Sequence, residues 1–200
     1  MSNATTIRRV LAAVVAAGGL ALAGSASAQS VDKEALGTSI AHELSSALNF
    51  KAMLIMAAQE PDGAEDLLGR APKPGTEGLL QEAAVEEIEH DLPAIEAIMG
   101  HAFAQRLSAK DMQAVTEFLR TPTGRAFLNV LANPDTAGPA MPQEDRTRLL
   151  AFMETPAGQA FTAMLDDIET VLDTMETEVM AELTPGVVRR YEAKLATAGK

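Results

Sequence analysis

From about residue 32 onward, apolar residues recur every three or four positions, and no segment alternates with the period of two that marks a strand. The pattern predicts an all-α protein folded as a helical bundle. A first helix fits residues 32–59, with Leu36, Ile40, Leu44, Leu48 and Ile55 near one stripe. Pro61-Asp62-Gly63 and Ala71-Pro72-Lys73-Pro74-Gly75 bracket a loop with room for a short turn at 64–68. A second helix is expected from Thr76, a candidate N-cap, to Asp91, with Leu79, Leu80, Ala83, Ala84 and Ile88 inward. Pro93 must kink that helix or start another one reaching Arg106.

A phrase is then used twice: Thr121-Pro122-Thr123-Gly124-Arg125-Ala126-Phe127 and Thr155-Pro156-Ala157-Gly158-Gln159-Ala160-Phe161. Aligning 107–131 with 141–165 at an offset of 34 gives eight identities in 25 positions, including Asp111/Asp145 and Phe118/Phe152. Val115/Leu149, Leu119/Met153 and Val130/Met164 keep apolar character. This is read as an internal duplication of a helix-turn-helix unit, giving two related units within the bundle. The second copy leads into a helix expected over 156–182. Its residues Phe161, Leu165, Ile168, Leu172, Met175 and Val179 form a heptad seam. Thr184-Pro185-Gly186 is expected to open a last short helix carrying Val187, Val188, Tyr191 and Leu195.

The repeated phrase has a mechanical reading. A Thr hydroxyl at the N-cap accepts from an orphan backbone N–H one turn in, and Pro at the first helical position loses no hydrogen bond. Gly at the third position costs roughly 1 kcal/mol against Ala, so it implies a close approach by the incoming helix, with Phe118 or Phe152 over the turn. Phe127 and Phe161 are expected to cover the same corners. An anion site is the competing reading, since helix N-termini bind anions. Arg120 and Arg125 in the first copy become Glu154 and Gln159 in the second, however, so corner packing is favoured.

These residues carry a resemblance. A polar pre-helical stretch, an apolar helix ending in Phe-x-x-Thr-Pro-x-Gly and a following Ala-Phe helix resemble the "domain of unknown function 2059" family. The likeness covers 107–131 best and 141–165 again. It implies a small exported helical domain with no assigned activity, and it carries over no catalytic residue.

The N-terminus supplies an address. Arg8 and Arg9, an apolar run from Val10 to Leu22, and Ala26-Ser27-Ala28 match a signal peptide cleaved after Ala28, leaving 172 residues and a periplasmic protein. The apolar run is too short to span a bilayer, which takes about 20 residues. No cysteine is present, which leaves out both a lipid anchor at the cleavage point and disulfides. Loss of the two arginines takes the net charge from −12 to −14, against nucleic acid or anionic lipid as partners. The expected organisation is a signal peptide over 1–28, an N-terminal helical region over 29–106, the duplicated hairpins over 107–183 and a short helix over 184–200.

Candidate chemistry is thin. Glu87-Ile88-Glu89-His90 has the Glu-x-x-His spacing of di-iron bundles, but a second such motif is missing. Met53-x-x-Met56 and Met99-Gly100-His101 have the residue types that suit Cu(I), yet Met112, Met153, Met164 and Met175 fall on apolar stripes as core filler. His42 shares a helix surface with Ser45 and Ser46, but Glu43 points away and nothing supplies an oxyanion hole. The paired acids Glu86-Glu87 and Asp166-Asp167 read as solvated faces. No catalytic, cofactor or metal residue is therefore assigned, and an enzyme is not expected. The favoured function is an exported structural or interaction module built around Phe118, Phe127, Phe152 and Phe161. It would pair with itself through the seam from Phe161 to Val179 or with another periplasmic protein. The alternatives are a binding module for an apolar ligand or peptide, and a copper-binding protein.

Overall fold

The computed structural model describes residues 30–60, 63–132, 141–166 and 168–198, and among them it contains nine α-helices and no strand. In chain order these are α1 (Ser30–Ala47), α2 (Phe50–Gln59), α3 (Gly63–Leu68), α4 (Glu77–Arg106), α5 (Ala109–Leu119), α6 (Pro122–Ala132), α7 (Gln143–Met153), α8 (Pro156–Asp166) and α9 (Ile168–Ala198). They form a helical bundle, as the apolar periodicity predicts. Residues 1–28, read as a signal peptide, lie outside the described residues. No described helix is long and apolar enough to cross a membrane.

α4 is the mast of the bundle. α1 and α9 pack along it most extensively, α2 and α3 cover its N-terminal half, and α5 leans on α1. Where α1 crosses α4, Gly37 meets Gly100. A Cβ on Gly37 would lie 2.9 Å from the Gly100 carbonyl carbon, and one on Gly100 would lie 2.6 Å from Thr38 Cα. Two backbones approach this closely only where neither carries a side chain. Ile40, Ala41, Leu44, Ile95 and Met99 close the core on either side.

The expected helix over 32–59 is in fact two. Asn49 adopts the left-handed conformation, φ 51° and ψ 45°, and ends α1 before α2 restarts at Phe50. Asn tolerates that conformation better than most residues, and neither Pro nor Gly marks the break. Neither proline ends a helix: α4 runs unbroken through Pro93 and α9 through Pro185, so no new helix starts at either position. Both prolines are exposed, so the backbone carbonyl each one orphans faces water. The proposed boundary at residue 184 accordingly falls inside a continuous helix.

α9 buries Met175, Val179, Leu183, Val187 and Tyr191, an i, i+4 row against α4 and α3. Phe161 is also buried and stacks on Phe103 of α4, with centroids 6.5 Å apart. At Phe161, Met175 and Val179 the heptad seam is thus covered by the chain itself. The side chains of Leu165, Ile168 and Leu172 lie outside the described residues, as does that of Asp167.

Thr76 stands at the N-cap of α4, as expected, but its side chain makes no cap hydrogen bond. Its hydroxyl donates to the Lys73 carbonyl at 2.6 Å and lies 2.5 Å from the Tyr191 hydroxyl, which also accepts from the Lys73 N–H at 3.0 Å. The one tyrosine thus ties the loop before α4 to the last turns of α9.

Candidate functional site

Each Thr-Pro corner is built from the same hydrogen bonds. At the first, the Thr121 hydroxyl donates to Phe118 O at 2.7 Å and accepts from Gly124 N–H at 3.0 Å. At the second, Thr155 donates to Phe152 O at 2.6 Å and accepts from Gly158 N–H at 3.1 Å. A Cβ on Gly124 would sit 2.7 Å from Leu119 Cα, and one on Gly158 would sit 2.7 Å from Met153 Cα. The glycines are there so that the end of the incoming helix can lie across the turn. At both corners the threonine hydroxyl takes the N–H of the third helical residue, one of those an anion would use.

The corners face each other through Phe118 and Phe152, whose rings stack 3.9 Å apart and within 3° of parallel. Neither ring is fully buried. They floor a groove of about 420 Å³, a size that suits a small molecule or a few side chains. Its walls come from α5, with Asp111 and Glu117, and from the start of α8, with Pro156 and Ala157; Lys110 is its one cation.

The two hairpins differ across this pair. In the first, Ser108 caps α5 and shares a reciprocal pair with Asp111: Asp111 N–H donates to Ser108 Oγ at 3.1 Å, and that hydroxyl donates to the carboxylate at 2.5 Å. In the second, Pro142 stands at the cap position and offers no hydroxyl. Asp145 instead accepts from Thr123 on α6 at 2.7 Å, latching α7 to α6. The counterpart of Thr123 at the offset of 34 is Ala157, which cannot donate. The groove lies beside the corner that has no latch.

α7 has no buried residue, and Leu150 on it is 62% exposed. At the aligned positions α5 turns Met112, Val115 and Thr116 into the core, whereas α7 has Arg146, Leu149 and Leu150. α7 therefore lies at the edge of the bundle, while α8 of the same hairpin buries Ala157, Phe161 and Met164.

The remaining candidate residues are scattered. His42 pairs with Glu96 at 3.0 Å and His101 with Glu34 at 3.0 Å, and both pairs bridge α1 and α4. Glu43 accepts from Arg120 at 2.7 Å and Ser45 is buried, so the acid beside His42 is Glu96 and the exposed serine one turn from it is Ser46. Met53 is half-buried and Met56 is 60% exposed on α2, while Met99 is wholly buried and His101 points out to Glu34. Glu87, His90 and Asp91 have oxygen and nitrogen atoms within 4.8 Å of one another. Glu87 is buried, however, and already neutralised by Arg190, with Arg189 Nη2 at 3.4 Å from its other oxygen. His90 pairs with its neighbour Asp91 at 2.5 Å.

The buried position of Glu87 was hidden in an acid-rich run. Beside it, Lys194 bonds Glu86 at 2.8 Å and Glu82 at 3.2 Å. The hydrogen bond from Lys194 holds the Glu86 carboxyl below its ordinary value, and the bond from Glu86, then that from Glu82, holds Lys194 above its own. Arg190 is raised chiefly by its bond to Glu87. This ladder fastens α9 to α4 and is structural. No protein-family model, curated protein or solved structure matches the chain.

Proposed function

We propose that this chain is an exported helical interaction module, not an enzyme, and that it meets its partner in the groove between the two Thr-Pro corners. The observation that carries this reading is the stacked Phe118–Phe152 pair, left half-buried as the floor of a groove of about 420 Å³. Aromatic rings that could have been covered by the chain's own helices are instead available to another molecule. The sequence of the corners supports membership in the "domain of unknown function 2059" family, and duplication of one hairpin explains why both corners use the same bonds. The acidic surface favours a partner other than nucleic acid.

The test is a photo-cross-linking residue placed at the exposed position of Glu117 on the groove wall, and separately at exposed Glu192 on α9. In the native host, an adduct of defined mass is expected from position 117 and not from 192. Equal adducts from both, or none from 117, would sink the reading. The mass of the recovered chain also checks export, which requires an N-terminus at Gln29.

A further inference from the structure

The groove in the proposed interaction module has a sidedness that the alignment alone does not explain. Thr123 and Asp145 close one side of the paired corners with a 2.7 Å hydrogen bond, and the corresponding residues on the other side, Ala157 and Asp111, both line the open groove. The carboxylate is present on both sides; Asp111 takes one hydrogen bond from Ser108 of its own hairpin at 2.5 Å, and what the second side lacks is the donor that Thr123 supplies on the first. We infer that Ala157 keeps the groove open and that Asp111 is the acceptor for an incoming group, so that the occupant is an apolar segment of a partner polypeptide carrying a basic side chain. The inference rests on the interaction reading above and adds the chemistry of the partner.

Three observations select that occupant. Phe118 and Phe152 offer ring surface to an apolar side chain. Asp111 and Glu117 stand against the single cation Lys110 on the groove wall, so a bound basic group meets more opposite charge than like. The whole chain, at net charge −12, attracts a basic segment at long range and repels an acidic one. An acidic apolar ligand would have only Lys110 to hold it.

The experiment uses the mature chain and two short fluorescent peptides, one alternating Leu with Lys and the other alternating Leu with Glu, with binding read by anisotropy at physiological salt. The Leu-Lys peptide is expected to bind, and the Leu-Glu peptide to bind at least about tenfold more weakly. Ala157→Thr restores the donor found at Thr123 and is expected to weaken the Leu-Lys peptide by about tenfold or more while leaving the circular dichroism spectrum intact. Should that variant misfold, Glu117→Lys replaces it: the change sits on an exposed position and is expected to weaken Leu-Lys binding and strengthen Leu-Glu binding. Unchanged Leu-Lys affinity in the variant tested, equal affinity for the two peptides, or no binding of Leu-Lys overturns the inference. If cross-linking at position 117 still captures a partner, that failure touches only the occupant's chemistry. If both experiments fail, the groove is not an interaction site.

Discussion

Gly186 makes the space that the Glu87 carboxylate occupies: a Cβ on Gly186 would lie 2.7 Å from Glu87 Cγ and closer still to the carboxylate. A buried acid on α4, an arginine one turn past the glycine on α9, and the glycine itself thus form one unit. Gly186→Ala is expected to destabilise the protein by about 2–4 kcal/mol, because the acid must be displaced from Arg190 or the helices must part. Urea unfolding measures this, and a loss below about 0.5 kcal/mol would show that the helices reseat freely.

The crossing of α1 and α4 gives a paired test. Gly37→Ala should cost about 2–3 kcal/mol, since the added carbon meets Gly100 backbone, despite the roughly 1 kcal/mol of helix propensity that Ala brings. Gly78→Ala has nothing within 4 Å of its new carbon and should stabilise by about 0.5–1 kcal/mol. Thermal melts of both variants decide it: shifts of the same sign would contradict the close approach.

Removing the Tyr191 hydroxyl with Tyr191→Phe takes away the acceptor for Lys73 N–H and the partner of Thr76. A loss of about 1–2 kcal/mol is expected, together with faster hydrogen exchange at the Lys73 amide. If that amide exchanges at the wild-type rate, the tie between loop and helix is not what protects it.

Acid should loosen α9 from α4. The Glu86 carboxyl is held below its ordinary value of 4.5, mainly by the hydrogen bond from Lys194. Its contribution is therefore complete above that ordinary value and is lost as pH falls through the lowered one. Lys194, raised above 10.5, contributes below that value and ceases to do so as pH climbs through the raised one. Urea midpoints of wild type and Lys194→Met should differ near neutrality and converge under acid below the Glu86 range. A gap that stays constant with pH would assign the difference to packing of the lysine stem.

The helical class and much of the inward face of α4 follow from apolar spacing, because residues three and four apart share a helix face wherever the helix ends. The corners were legible too, since a Thr cap, a Pro at the first position and a Gly at the third each have a local cause. Long-range choices were not. Nothing near Asn49 says that α1 stops there, and Pro93 and Pro185 break nothing because each happens to face water. Gly37, Gly100 and Gly186 each answer to a partner on another helix, which no local pattern encodes. The difference between positions 123 and 157 was visible in the alignment, but without meaning until the Thr123–Asp145 bond and the groove lined by Ala157 and Asp111 were seen.

The clasp formed by α9 also fixes an order of events for a chain that emerges N-terminus first. Before Gly186, Arg190 and Tyr191 are in place, Glu87 lacks its Arg190 pair and the loop at Lys73–Thr76 lacks its Tyr191 anchor, although α1 can already pack along α4. A chain lacking residues 186–191 would therefore leave the face of α4 around Glu87 and the 73–76 loop open to any protease that samples them, so this stretch of α9 acts late in closing the fold.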